Sequence, residues 1–257
     1  MNIKMLALDL DGTVLSHDEV ITPEVKQAIA NAKATGIKIA IATGRNFSLM
    51  KEYLLELDLT DCYHVVCNGA AIMKYDGTCL EKHLIDDALA HSVAQKLVDL
   101  NIPFAMFDEM NSYCEAKNHH LEIYDHCTIV PNWHNMGNAC KFVAGPANVD
   151  IIHEALDHLP LSLAYSLFQG VAYSEIWPAN LHKGTAIETI AKLYGIDISE
   201  VLAIGDSGND IAMLKYVGFG IAMGDASDAV KQAANAVTAS QADNGVAVAI
   251  NQFVLKK

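Results

Sequence analysis

The chain has 257 residues, enough for one large domain or two modest ones, and 52% hydrophobic against 19% charged residues describes a folded globular protein. A balance of 17 basic to 31 acidic residues leaves a formal charge of −14. That charge argues against nucleic acid or an anionic membrane as the main partner, and it obliges any phosphate site to carry local compensation. No apolar stretch approaches the roughly twenty residues that span a bilayer, and Asp9 interrupts the one apolar run near the start; a cytoplasmic location is expected.

Met5-Leu6-Ala7-Leu8 reads as a buried strand that delivers two carboxylates onto a glycine turn, Asp9-Leu10-Asp11-Gly12-Thr13. Thr22-Pro23 then reads as an N-cap followed by proline at the first helical position, with Gly36 ending that helix. A second strand, 37–42, ends at Thr43-Gly44-Arg45, and a third, His64-Val65-Val66-Cys67, ends at Asn68-Gly69. Short apolar runs separated by helices predict a parallel sheet covered on both faces. Residues 71–83, centred on Asp76-Gly77, predict a β-hairpin.

After His83 the rhythm changes. A helix with Leu89, Val93, Leu97 and Leu100 on one face precedes strands over 104–107, 112–115 and 141–144. A helix over 149–159 and a strand pair, 161–167 and 171–177, about Gln169-Gly170 complete this stretch. The order predicts an α+β insert, within the ordinary size of a domain. From Lys183 the parallel pattern resumes, with helices over 185–194 and 211–217 and strands over 201–204 and 219–223. The expected division is 1–83 with 183–257 as a catalytic core, and 84–182 as a cap.

Cleaving a phosphate ester requires a nucleophile that can approach a dianion, a charge that offsets the repulsion, and a proton for the leaving oxygen. Asp9 suits the first role, since a carboxylate with an ordinary pKa of about 3.9 is ionised at neutral pH and needs no base. Asp11, two residues on, can give a proton to the leaving group and take one from water. Two carboxylates beside a phosphate call for a hard, oxygen-preferring cation, Mg2+. A second apolar strand, Val201-Leu202-Ala203-Ile204, ends in Gly205-Asp206-Ser207-Gly208-Asn209-Asp210. Parallel neighbours bring their C-terminal ends to one sheet edge, where Asp206 can meet Asp9.

The hydroxyl of Thr43 and the amide that follows suit a phosphoryl oxygen, although Thr43-Gly44 taken singly reads more readily as a plain turn. Lys183, where the insert returns to the sheet, supplies a point charge. Arg45 and Asn68 sit beside strand ends, a position that suits a substrate contact or a structural role. Glu175, Trp177 and Asn180 lie near the insert's return and could line the same cleft. The six cysteines show no metal-ribbon spacing and read as reduced thiols. His119, His120, His126 and His134 cluster without the spacing of a specific metal site, which favours solvated or loop roles.

In order, DxDGT, a Thr after the second strand, a Lys and GDxxND resemble the four motifs of the haloacid dehalogenase (HAD) superfamily. Asn68-Gly69-Ala70, Glu175-Ile176-Trp177-Pro178, Lys183-Gly184, Gly220-Ile221-Ala222-Met223 and 243–247 look like its Cof-type subgroup. The resemblance covers nearly the whole chain. It implies an α/β fold, a Rossmann-like parallel-sheet core with an inserted α+β cap. It implies an aspartyl-phosphate on Asp9 and Mg2+ held by Asp9, the Asp11 carbonyl and Asp206, with Asp210 in support. Thr43, Gly44, Lys183 and Asn209 would bind the phosphate. The second aspartate favours phosphatase over dehalogenase chemistry, since dehalogenases of this superfamily lack it. One departure is that Asn244 stands where the subgroup usually has an acid before Gly245.

The expected partner is a small phosphorylated metabolite, a phosphosugar by the family's habit, with nucleotide and cofactor phosphates as the other candidates. Phosphotransfer to a second sugar hydroxyl, as in related mutases, and a silent phosphometabolite-binding module are the alternatives. A dinucleotide-dependent dehydrogenase has no support, because no GxGxxG opens the first helix. Oligomeric state is not readable from the sequence.

Overall fold

The computed structural model describes residues 2–16, 18–118, 126–135, 137–168 and 171–256. The opening segment runs β1 (Met5–Leu8), α1 (Pro23–Ala34), β2 (Lys38–Ile41), α2 (Phe47–Glu56), β3 (Tyr63–Val66), β4 (Ala71–Lys74) and β5 (Cys79–Lys82). The middle of the chain adds α3 (Asp87–Asp99), β6 (Phe104–Phe107), β7 (Ser112–Glu115) and β8 (Thr128–Val130). It continues with β9 (Lys141–Ala144), α4 (Val149–Leu156), β10 (Leu161–Phe168) and β11 (Val171–Pro178). The closing segment holds α5 (Lys183–Leu193), β12 (Val201–Gly205), α6 (Ile211–Tyr216), β13 (Phe219–Ala222), α7 (Asp228–Ala233), β14 (Ala236–Val237) and α8 (Gly245–Ala249).

A five-stranded parallel sheet of order β14-β13-β12-β1-β2 forms the scaffold. Strand β1 sits between β12 and β2 and is buried at every position, which is why its sequence is an unbroken apolar run. Helix α1 starts as its sequence predicts: Thr22 accepts a hydrogen bond from the Val25 amide, Pro23 opens the first turn, and Val25, Ala28, Ile29 and Ala32 face the core. Gly36 follows with a positive φ of 89°.

Strand β3 departs from the expected regular ladder. Its link to β2 is a single parallel bridge, Ala42 to Val65. The buried ring of His64 explains the gap, since His64 Nδ1 accepts the Ile41 amide at 3.1 Å and Nε2 faces the Leu59 carbonyl at 2.8 Å. An imidazole therefore replaces one backbone rung. Strand β3 instead leads a three-stranded antiparallel sheet with β4 and β5, whose hairpin turns at Asp76-Gly77 as the sequence predicts. Asn68 (φ 59°) and Gly69 (φ 104°) make the sharp link from β3 to β4, and a Cβ on Gly69 would lie 2.6 Å from the His182 carbonyl oxygen.

The second large sheet has order β10-β11-β9-β6-β7-β8 and is antiparallel apart from the β7–β8 pair. Its alternation divides two cores. Phe104, Met106, Phe142 and Ile176 pack with Val93 and Leu97 of α3 and Ile152 and Leu156 of α4. Ala105, Phe107, Cys114, Val143 and Tyr173, on the opposite face, join the same cluster as the five-stranded sheet. Leu100, expected on the apolar face of α3, is instead the exposed residue that closes the helix. Helix α4 ends at Leu156, three residues early, and the turn expected at Gln169-Gly170 lies outside the described residues.

Candidate active site

The parallel register sets the site. Leu8 lies opposite Ile204 in β12, and the Asp9 amide donates to the Ile204 carbonyl at 3.0 Å. Asp9 and Asp206 thus leave adjacent strands at the same edge. With Asp210 they offer three carboxylate oxygens within 4.8 Å of one another. The long sequence separation of Asp9 and Asp206 is closed by the pairing of β1 with β12.

Two glycines make room for this convergence. Gly12 has φ +75°, and a Cβ there would sit 2.5 Å from Asp206 Oδ2. A Cβ on Gly205 would sit 2.5 Å from the Asp210 Cγ. Thr13 Oγ donates to Asp206 Oδ1 at 2.7 Å, while the Asp206 and Ser207 amides both donate to Asp210 Oδ2 at 3.0 Å. The Asp206–Asp210 loop is therefore tied to its own last carboxylate.

Lys183 opens α5 behind the N-cap His182 and is 1% exposed. Its three ammonium protons have three acceptors: Asp9 Oδ1 at 2.6 Å, Asp210 Oδ1 at 2.7 Å and Asn209 Oδ1 at 3.3 Å. Burial opposes its charge, but Asp210 and Asp9 outweigh that and raise its pKa. The acids rise as well, which for them disfavours the charged form. Burial and then the Asp210 charge hold Asp9 well above the usual carboxylate range, with Lys183 opposing. The same two causes push Asp206 up to about 7. One ammonium thus serves a set of crowded carboxylates, and an all-oxygen donor set with surplus negative charge fits a hard divalent cation.

The sequence-derived phosphate loop lies beside Asp9. Buried Thr43 follows Ala42, whose amide donates to Leu8, and Thr43 Oγ accepts from the Arg45 amide at 3.0 Å. Arg45 itself points elsewhere: its guanidinium grips the exposed Asp11 carboxylate at 2.6 to 3.1 Å, contacts Glu19, and lies over the Tyr53 ring. Burial pushes Glu19 up, but the Arg45 hydrogen bond and charge hold it below its ordinary value. Asn68 is buried and bridges Asn209 on one side to Glu175 on the other.

Gly44 closes the loop against Lys141 and Glu175 of the second sheet, whose polar atoms would lie 3.3 and 3.0 Å from an added Cβ. Trp177 is buried with its indole NH on the Leu181 carbonyl at 2.8 Å, a structural role, and Asn180 is an exposed turn residue with φ 63°. Lys141, Thr13 and Glu19 were not singled out by sequence reasoning. For Lys141 one signal existed: it opens a strand whose other residues are all apolar and buried. Of the clustered histidines, exposed His134 stacks on Trp133 at 3.7 Å, His126 is exposed, and His119 and His120 fall outside the described residues.

The family model for haloacid dehalogenase-like hydrolases matches residues 6–250. The chain belongs to this family and is a phosphoric monoester hydrolase. YxeH of Bacillus subtilis (strain 168) is 31% identical over 99% of this chain and 99% of its own. The 5-amino-6-(5-phospho-D-ribitylamino)uracil phosphatase YwtE of the same organism is 30% identical over 98% of each chain. Among solved structures, the HAD subclass IIB sugar phosphatase BT4131 superposes with a TM-score of 0.85 at 25% identity, covering 97% of this chain and 98% of its own. Phosphatases of this family generally use a divalent metal, with which the acidic cluster is compatible. No helix among the described residues is long and apolar enough to cross a membrane.

Proposed function

We propose that the protein is a Mg2+-dependent cytoplasmic phosphatase of small phosphomonoesters, sugar phosphates foremost, working through an aspartyl-phosphate on Asp9. The observation that carries the proposal is the buried Lys183 ammonium shared by Asp9, Asp210 and Asn209 beside Asp206. Support for the substrate class comes from relatives named as a sugar phosphatase and a phosphoribitylamino-uracil phosphatase. Residues 1–83 and 183–257 are read as the core, and 84–182 as the cap that reads the leaving group. The separate five- and six-stranded sheets support that division.

In this reading Asp9, Asp206 and Asp210, with the Asp11 carbonyl, hold the divalent ion. When bound it offsets the carboxylates and polarises the phosphoryl group. Lys183 orients the Asp9 carboxylate and binds phosphoryl oxygen with Thr43, Gly44 and Asn209. Asp9 attacks phosphorus, the P–O bond to the alcohol breaks, and Asp11 delivers a proton to the departing oxygen. Asp11 then takes a proton from the water that cleaves the acyl phosphate. Since Arg45 holds the Asp11 carboxylate in this structure, that proton transfer requires Asp11 to turn from the guanidinium toward the leaving group.

The test is release of inorganic phosphate from a panel of sugar phosphates, nucleotides and cofactor phosphates, with Mg2+ and with chelator. Metal-dependent release concentrated on sugar or polyol phosphates is expected. Transfer of the phosphoryl group to an acceptor sugar without free phosphate would place the protein among mutases instead.

A further inference from the structure

Lys141 and Glu175 are two charged side chains on the face of the second sheet that meets the catalytic strands. Glu175 lies opposite Val143 in the β9–β11 register, so Lys141 is its diagonal neighbour on the same face. The two meet at 2.7 Å, and their side chains are 4% and 8% exposed. The Phe107 ring lies 5.0 Å from the ammonium. An ion pair in such surroundings costs desolvation, and apolar replacements of similar size are often as stable or more so. Stability alone does not explain its presence.

Its other hydrogen bonds do. Lys141 Nζ donates to the Gly44 carbonyl at 2.7 Å, and Glu175 Oε2 accepts from Asn68 Nδ2 at 2.7 Å. Asn68 Oδ1 accepts from Asn209 Nδ2 at 3.0 Å, and Asn209 Oδ1 accepts from Lys183 Nζ at 3.3 Å. Lys183 in turn holds Asp9. An unbroken chain of donors and acceptors runs from the insert to the nucleophile.

The order of that chain is fixed from both ends: the Lys183 ammonium and the Ser207 hydroxyl donate to Asn209 Oδ1 at one end, and a carboxylate accepts at the other. An asparagine amide has nearly the same shape in either orientation, so its partners fix which end is oxygen. An ionised carboxylate accepts only. Burial pushes Glu175 up, but the Lys141 charge and hydrogen bond, the Asn68 hydrogen bond and the Lys183 charge hold it below its ordinary value. Glu175 therefore takes the NH2 of Asn68 and turns the Asn68 oxygen to Asn209, the same polarity that Lys183 and Ser207 impose on Asn209 from the other end. Were the Asn68 amide reversed, its NH2 would face the Asn209 NH2, or, if Asn209 reversed with it, Asn209 would present NH2 to the ammonium.

We propose that Lys141 and Glu175 are positioning residues for phosphoryl transfer: they seat the insert on Gly44 and anchor Asn68 in the amide orientation that keeps Asn209 on Lys183, which holds Asp9. This rests on the phosphatase reading of the site, to which it adds two residues that touch neither phosphate nor metal ligand.

The experiment compares wild type, Glu175→Gln, and the apolar pair Lys141→Met with Glu175→Leu, assayed with p-nitrophenyl phosphate and Mg2+ and melted in parallel. Glu175→Gln keeps the size but offers both donor and acceptor, so kcat is expected to fall about tenfold with KM changed less than about threefold. The apolar pair is expected to melt at or above the wild-type temperature and still show the low kcat, a combination that a merely structural role would not produce. Wild-type kcat in both variants overturns the proposal and leaves the phosphatase reading intact. If the apolar pair does not fold, the Glu175→Gln kcat decides alone, a wild-type value overturning the proposal. Absence of turnover in the wild type overturns the phosphatase reading and this inference with it.

Discussion

Two buried lysines, Lys141 and Lys183, lie at the two ends of one hydrogen-bonded chain, and their electrostatic settings differ. Lys141 meets one carboxylate, Glu175, and the match pulls that acid below its ordinary value. Lys183 meets Asp9 and Asp210 with Asp206 close by, and burial followed by the Asp210 charge leaves Asp9 raised and Asp206 near 7. A balanced pair in a dry setting fixes geometry and needs nothing more. An over-acidic cluster stays unsatisfied until a further cation arrives, which is the condition a metal-assisted phosphoryl site must meet.

The most drastic way to break the comparison is Asp9→Asn. It should lower kcat by about 10^4-fold or more, because the amide cannot form the acyl phosphate. The same change removes a negative charge from the crowded side, so the metal-free variant should melt above wild type. Near-normal phosphate release from this variant would falsify Asp9 as nucleophile.

Next in size is Lys183→Met. Removing the one shared cation leaves carboxylates buried without it, a loss of about 3–5 kcal/mol in stability. Thermal melts with and without Mg2+ should show a lowered transition that rises when the ion is added. A variant melting like wild type in chelator would mean that Lys183 does not offset those charges.

His64 sharpens the comparison as a buried ionisable group with no countercharge in hydrogen-bond contact. Burial lowers its pKa to about 4. Its Nδ1 accepts from Ile41 while Nε2 faces Leu59, which fixes the neutral tautomer with the proton on Nε2. Protonation would set two N–H groups against each other. The folded value is depressed below the unfolded one, so the contribution to stability is complete above about pH 6.5. It falls as pH drops toward 4, by on the order of 3 kcal/mol. Denaturant melts of His64→Gln, whose slope with pH should flatten across that window, check this.

The smallest expected effect is that of Gly44→Ala. An added Cβ would approach Asn68 Oδ1 and Glu175 Oε2 at 3.0 Å, so the balanced pair must shift by a few tenths of an ångström. Phosphate release should slow about three- to tenfold with the melting temperature little changed. Unchanged kinetics would show that the loop tolerates a looser seat against the insert.

Much of the acidic cluster was legible because local sequence and pairing agree. An apolar strand ending in Asp9-Leu10-Asp11-Gly12-Thr13 and another ending in Gly205-Asp206 are buried parallel neighbours, and parallel pairing aligns their ends. The glycines were legible as turns, but not as clearance for Asp206 and Asp210, which is a property of packing. The irregular place of β3 was hidden because a histidine between Tyr63 and Val65 gives no sign that its ring will cap a neighbouring strand. Strand β8, three residues long and parallel on β7, is too short to show a period. Lys141 and the grip of Arg45 on Asp11 depend on how the insert and the Asp11–Glu19 loop fold back, which no local pattern encodes. Asn244, which departs from the family pattern, adopts φ 58° at the start of α8 and accepts the Thr22 hydroxyl at 2.6 Å, so it tolerates the left-handed turn and ties α1 to α8.

The idea that crowded strand-end carboxylates form one phosphoryl-transfer centre meets its most direct test in a crystal structure grown with Mg2+ and beryllium fluoride. The phosphoryl mimic should be bonded to an Asp9 carboxylate oxygen, in contact with Thr43 and Lys183, with metal density among Asp9, Asp206 and Asp210. A mimic bonded to Asp11, or seated away from Lys183, would contradict it.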